Sequence, residues 1–176
     1  MAADPIAPGR NRPARTISRR TLLTATPAGG LVVAGAVVLA GCSDSADQDR
    51  KDRVEQLIPL RADALADAAT ARGLIAGQPD RAAALTVIAN ERNAHADALL
   101  AEMTRIDSSR GTAISGQPTP ITPTTPTTAT VASLRQQLSA SAKRAADVAV
   151  NATGHRAGLC GSISAAVTTQ VQVQLA

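Results

Sequence analysis

Ala89-Asn90-Glu91-Arg92-Asn93-Ala94-His95-Ala96-Asp97-Ala98-Leu99 is the stretch that decides how this 176-residue chain folds. At about 100° per residue it places Glu91, Arg92 and His95 on the same stripe as Leu85, Ile88 and Leu99, and it lacks the strict apolar–polar alternation of a half-buried strand. The segment therefore reads as a helix whose apolar stripe carries charge. Charges on such a stripe need partners. Arg61 and Arg72 fall within the apolar stripe of the preceding helical segment, so the expected arrangement is a buried polar network. Its members are Arg61, Arg72, Glu91, Arg92 and His95, with Glu91 paired to an arginine across the helices and His95 completing the hydrogen bonds.

Outward from this stretch the pattern stays helical, alanine-rich and spaced by threes and fours. Helices are expected at about 48–76, 80–106, 131–153 and 155–175. The first aligns Val54, Leu57, Ile58, Leu65, Ala68 and Ile75, and Pro59 either kinks it or marks its true start. Gly77-Gln78-Pro79-Asp80 makes a short turn, so the second helix returns antiparallel to the first. The third aligns Val131, Leu134, Leu138, Ala145 and Ala149, with its single acid, Asp147, facing water. After Gly154 the fourth repeats Gly154, Gly158, Ser162 and Ala166 at four-residue intervals, a small-residue ridge expected to admit a close neighbour. Between the halves, residues 108–130 are dominated by Ser, Gly, Thr and Pro, and Pro118, Pro120, Pro123 and Pro126 forbid a regular helix or central strand. That stretch reads as a linker whose threonines are either plainly solvated or carry sugars. The expected fold is all-α, a four-helix bundle over 50–176 made of two helical hairpins and interrupted by linker 108–130.

The first 41 residues read differently. Arg10, Arg12, Arg15, Arg19 and Arg20 face a single acid, Asp4, and residues 21–42 carry no charge, the layout of an export signal. Ser18-Arg19-Arg20-Thr21-Leu22-Leu23 resembles the twin-arginine motif, with Leu22 in place of the usual Phe, and a general secretory signal is the alternative. Leu39-Ala40-Gly41-Cys42 resembles a bacterial lipobox, which makes Cys42 the lipid-attachment residue and the first residue of the mature chain, followed by a tether at 42–49. The alternative is an uncleaved membrane helix, which Pro27 and Gly29-Gly30 disfavour.

Removal of the signal changes the charge. The chain holds 18 basic and 14 acidic residues, and without the five arginines and Asp4 the mature part is left with equal numbers of each. It has neither a basic footprint nor a single Phe, Tyr or Trp on which a base could stack, so nucleic acid is not an expected partner. With Cys42 lipidated, Cys160 has no disulfide partner and is expected to be a small buried hydrophobe. Asn151-Ala152-Thr153 has the sequon form but lies within a predicted helix and is read as chance.

Residues 91–99, together with His155-Arg156-Ala157-Gly158-Leu159-Cys160-Gly161-Ser162-Ile163-Ser164-Ala165-Ala166, resemble a ferritin-like domain of unknown function found in exported actinobacterial lipoproteins. The resemblance spans roughly 50–175 and implies a ferritin-like four-helix bundle and a capacity to form homodimers; it implies no reaction. A di-iron centre in such a bundle needs a Glu from each of two helices and a Glu-x-x-His pair from each of the others. Here Glu91 and His95 are four apart, the third predicted helix has only Asp147 and the fourth no carboxylate, so that centre cannot be assembled. No metal or cofactor is expected. Glu91, His95 and an inward-facing His155 offer an alternative mononuclear site, in a metal-binding protein or metal-dependent enzyme, and neighbouring arginines oppose a cation there. Without a phosphate loop or a serine elbow, the reading is a lipid-anchored binding or interaction module on the extracytoplasmic face of the cell membrane. A small-ligand carrier is the remaining alternative.

Overall fold

A computed structural model describes residues 40–117 and 129–176, with side chains from residue 44 onward. Arg19, Arg20, Leu39 and the Cys42 side chain lie outside the described residues. All regular structure among those described is helical.

Helix α1 (Ala40–Glu55) includes the expected tether, and residues 44–53 are exposed throughout. Val54 in its last turn and Leu57 just after it are the first fully buried side chains among the described residues. The first helix is interrupted here, and Pro59 marks the start of its second part, one of the two expected roles. Pro59 has no amide hydrogen to give back to the preceding turn, the Leu57 amide takes the tighter bond to the Val54 carbonyl at 2.9 Å, and α2 (Ile58–Leu74) starts afresh with Pro59 in its first turn. Two short 3₁₀ turns, Ile75–Gly77 and Pro79–Arg81, lead into α3 (Ala82–Ile106).

The buried residues recur with alternating three- and four-residue spacing. On α2 they include Leu60, Ala64, Asp67, Ala71 and Leu74, with Ala68 beside them; on α3 they include Leu85, Ala89, Arg92, Ala96, Leu99 and Met103. This is the seam of near-parallel helices packed along their length. α5 (Val131–Asn151) contributes Leu134, Leu138, Ser141 and Ala145, and α6 (Gly154–Thr169) contributes Cys160, Ile163 and Val167. A π-helical turn, Gln170–Gln174, ends the chain and continues the buried row with Gln170. With Ala, Leu, Val and Ile in place of rings, each buried side chain removes little area from water, and closeness of the backbones supplies the dispersion contacts.

α2 packs on α3 and α5 on α6, giving the two expected hairpins, and α2 joins them through α5. Side-chain pairs fix the directions. Asp67 meets Ser141 and Asp63 meets Arg144, so α5 runs antiparallel to α2. His155 approaches Glu102 while Gln170 reaches Glu91, so α6 runs antiparallel to α3. Helices α3 and α5 thus point the same way, and the chain between them has to travel the length of the bundle.

That connection starts as a helix, which corrects the reading of 108–130 as linker throughout. α4 (Ser108–Gly116) is capped by Asp107, whose Oδ1 accepts from the Arg110 amide at 3.0 Å, and no proline occurs between Asp107 and Pro118. Gly111 lies directly on α3: a Cβ there would be 2.3 Å from Thr104 Oγ1. At the start of α5, Thr130 and Ser133 form a reciprocal capping box. Gly154, at φ 60°, opens α6 in a conformation that favours glycine. The predicted small-residue ridge is not a packing surface. Gly154, Gly158 and Ser162 are exposed and a Cβ on Gly158 would meet nothing within 4 Å; the face of α6 that is buried is Cys160, Ile163 and Val167. Asp147 is exposed as expected and pairs with Lys143. No helix among the described residues is long and apolar enough to cross a membrane.

Candidate functional site

The main polar cluster of the interior joins side chains of α2, α3 and α5, with Gln170 of the turn after α6 beside it. Arg92, only 1% exposed, enters from α3 and donates from Nε and Nη2 to Asp67 Oδ2 on α2, at 3.2 and 2.9 Å. Ser141 of α5 donates to the same oxygen at 2.8 Å. On the other side of the guanidinium, Arg92 Nη1 lies 3.2 Å from His95 Nδ1. A guanidinium has no lone pair to offer, so Nδ1 must be the acceptor and the proton of neutral His95 sits on Nε2. Beside Arg92, Glu91 accepts from Nε2 of Gln170, from the turn that follows α6.

Burial dominates the electrostatics of this cluster. It pushes the Asp67 carboxyl above its ordinary pKa against the opposing pull of Arg92 and the Ser141 hydroxyl, and it lowers Arg92 despite Asp67. His95 is lowered by burial first, then by the Arg92 charge, with Glu91 opposing. At the rim, Asp63 is raised by burial while Arg144 Nε, 2.7 Å from its Oδ2, works the other way.

A second carboxylate is buried near the opposite end of α3. The Glu102 side chain is 1% exposed and is clamped by Arg105, with Nε at 2.6 Å from Oε2 and Nη2 at 2.7 Å from Oε1. The Arg105 hydrogen bonds hold its carboxyl below the ordinary value. His155 Nε2 is 3.7 Å from the same carboxylate.

Of the residues expected to form the polar network, Arg92 and His95 are joined. Glu91 does not pair with an arginine: it is exposed and bound by Gln170, because its helical position faces the end of α6 rather than α2. Arg72 is exposed in the last turn of α2 and outside the network. Arg61 is half-buried, and its Nε is buried without a hydrogen-bond partner. His155, expected to face inward, is on the surface with 68% of its side chain exposed. Asp67, Ser141 and Gln170 were not anticipated, although each continues a three-four spacing of apolar residues on its own helix.

This arrangement pairs opposite charges within the interior. Ser141 donates to a carboxylate, not to an imidazole, and Arg92 stands between His95 and that carboxylate. Cys160 is buried, and burial raises its thiol pKa, so the reactive thiolate is suppressed. Glu91 and His155 are separated by most of the α3 segment from Glu91 to Glu102, about 16 Å at the helical rise. Among the described residues no three His, Cys, Asp or Glu side chains gather where they would hold a metal ion. The fold and its interior define a helical bundle whose core holds an ionic cluster. No family model, curated protein or solved structure matches the chain.

Proposed function

We propose that this chain is an exported lipoprotein whose mature part is a ferritin-like four-helix bundle serving as a binding or interaction module, without catalytic activity, at the extracytoplasmic face of the cell membrane. Arg19 and Arg20 direct it to the twin-arginine route, residues 1–41 are removed, and a diacylglycerol thioether on Cys42 makes the membrane its partner. The observation that carries this reading is Leu39-Ala40-Gly41-Cys42 at the end of a charge-free run that follows five arginines. The ferritin-like assignment is supported by helix direction: two antiparallel hairpins joined by one end-to-end crossover between α3 and α5 is the connectivity of that bundle class. The absence of a catalytic role is supported by the chemistry of the cluster, where Arg92 occupies the interior as a fixed cation and ties up both Asp67 and the lone pair of His95.

Labelling cells with a radioactive fatty acid tests the reading. The wild-type chain incorporates label and migrates as the shortened form, whereas Cys42→Ser stays unlabelled and at full length. Normal labelling and cleavage of Cys42→Ser would overturn the assignment.

A further inference from the structure

The last turn of the chain packs on α5 and α6, buries Leu175 and is tied at Ala176 to Arg81, and its side-chain bond to α3 is made by Gln170. Within the π-helical turn Gln170–Gln174, the Gln170 side chain is 1% exposed, its Nε2 bonds Glu91, and its Oε1 is buried with no hydrogen-bond partner. Gln174 Oε1, one turn further on, is likewise buried and unpaired. Glu91, the acceptor of the Gln170 bond, lies one α-helical turn before His95, with the acid on the N-terminal side, the order in which a carboxylate and a cation attract best on a helix. His95 in turn is held by Arg92 only as long as Nδ1 keeps its lone pair.

We propose that Arg92, His95, Glu91 and Gln170 form an acid-operated latch, in which a proton from solvent taken up at His95 Nδ1 ends its bond to Arg92, draws Glu91 from Gln170 to the imidazolium, and releases the Gln170 side chain from α3, loosening the turn that carries it.

In the neutral state each bond supports the next. Arg92 orients the ring, the uncharged ring leaves Glu91 free, and Glu91 holds the Gln170 amide. After protonation, Nδ1 becomes a donor facing a donor, and two cations stand about one hydrogen-bond length apart in a buried place, which forces the ring outward. Arg92 keeps both bonds to Asp67 and remains in the cluster. The charged groups acting on His95 are Arg92 and Glu91, both on α3. From α2, Asp67 and Asp63 act on Arg92; α5 brings uncharged Ser141 to Asp67 and Arg144 to Asp63; the turn after α6 brings uncharged Gln170. Burial and Arg92 both oppose charge on the ring, so the latch opens below the ordinary histidine value of about 6.5 rather than above it.

Hydrogen–deuterium exchange of the full chain reads the latch directly. After correction for intrinsic rates, amides in 170–176 are expected to lose at least about fivefold in protection between about pH 7.5 and about pH 5, a range that brackets histidine titration. His95→Gln, which accepts from Arg92 but does not titrate, keeps its protection at both pH values. Glu91→Gln, which still accepts from Gln170 but cannot attract an imidazolium, keeps it as well. Unchanged wild-type protection, or the same acid loss in His95→Gln, overturns the proposal. Should His95→Gln fail to fold, nuclear magnetic resonance of the wild-type chain decides: the His95 ring and the amides of Gln170 to Leu175 must titrate with one midpoint, and separate midpoints overturn it.

Discussion

Two arginine–carboxylate pairs draw their arginine from α3, Arg92–Asp67 across to α2 and Arg105–Glu102 within α3, and they differ in where the cation sits. Both members of the first pair are buried, at 2% and 3% side-chain exposure, whereas Arg105 is 61% exposed above a Glu102 that is 1% exposed. In the first, two ions have left water and neither recovers its hydration, so the carboxyl is raised and the guanidinium lowered. In the second, the guanidinium stays hydrated on one side while presenting both nitrogens to the acid, and the carboxyl is lowered. A half-exposed clamp favours the ionised acid; a fully buried pair tolerates it.

The largest effect tests the buried pair. Arg92→Ala or Asp67→Ala leaves a buried charge unpaired and is expected to cost about 3–5 kcal/mol in urea denaturation. The double variant Asp67→Leu with Arg92→Met should be near neutral or more stable than wild type, since the pair's attraction does not exceed its desolvation cost. A double variant as unstable as the singles would break the contrast.

Glu102→Gln sharpens the other side. Replacing the charged acceptor should cost about 1.5–3 kcal/mol at neutral pH, the scale of hydrogen bonds to a charged group. Because the folded carboxyl lies below its ordinary value of 4.5, its contribution is complete above that value and is lost as pH falls through the folded pKa. Wild type should therefore lose stability in that acid window and Glu102→Gln should lose less. Asp67, raised rather than lowered, has the opposite sign: on its own account it favours the folded state as pH falls.

The smallest effect is at Lys143–Asp147, where both side chains are mostly in water, at 76% and 61% exposure. Lys143→Ala should change stability by about 0.3–0.5 kcal/mol, and the difference should shrink in molar salt. A cost comparable to that of Glu102→Gln would break the ordering by burial.

Much of this architecture is legible in the sequence, and the errors have physical sources. The helices around residues 82–106 and 131–151 follow from apolar spacing, and the start of α5 is set by Thr130 and Ser133. The phase of the first helix does not survive Pro59. Extending the stripe of Val54 and Leu57 through the break places Leu65 in the core and draws Arg72 in with it, while the helix that restarts at Ile58 buries Leu60, Ala64, Asp67, Ala71 and Leu74 together with the expected Ala68, and Ile75 packs at the edge of the core. Asp67 was therefore hidden by the wrong phase, although its spacing from Leu60, Ala64, Ala71 and Leu74 is regular. Gln170 extends the spacing of Cys160, Ile163 and Val167, yet one sequence cannot tell a glutamine that ends a buried row from one that leaves it. The small ridge on α6 had correct periodicity and the wrong side, because spacing defines a face without saying which neighbour meets it. For α4, composition misled: prolines after residue 117 coloured the reading of the nine residues before them.

The ends of the described chain sit at opposite poles. α1 leaves beside α4, where Glu55 pairs with Arg110, while the carbonyl of Ala176 accepts from Arg81 in the turn between α2 and α3. α2 and α6 run parallel between these poles. A force applied between residue 44 and Ala176 therefore pulls along the helix axes and slides α6 past its neighbours, loading the row of side-chain contacts together instead of peeling one hairpin away turn by turn. Under tension, the molecule resists as a lap joint does.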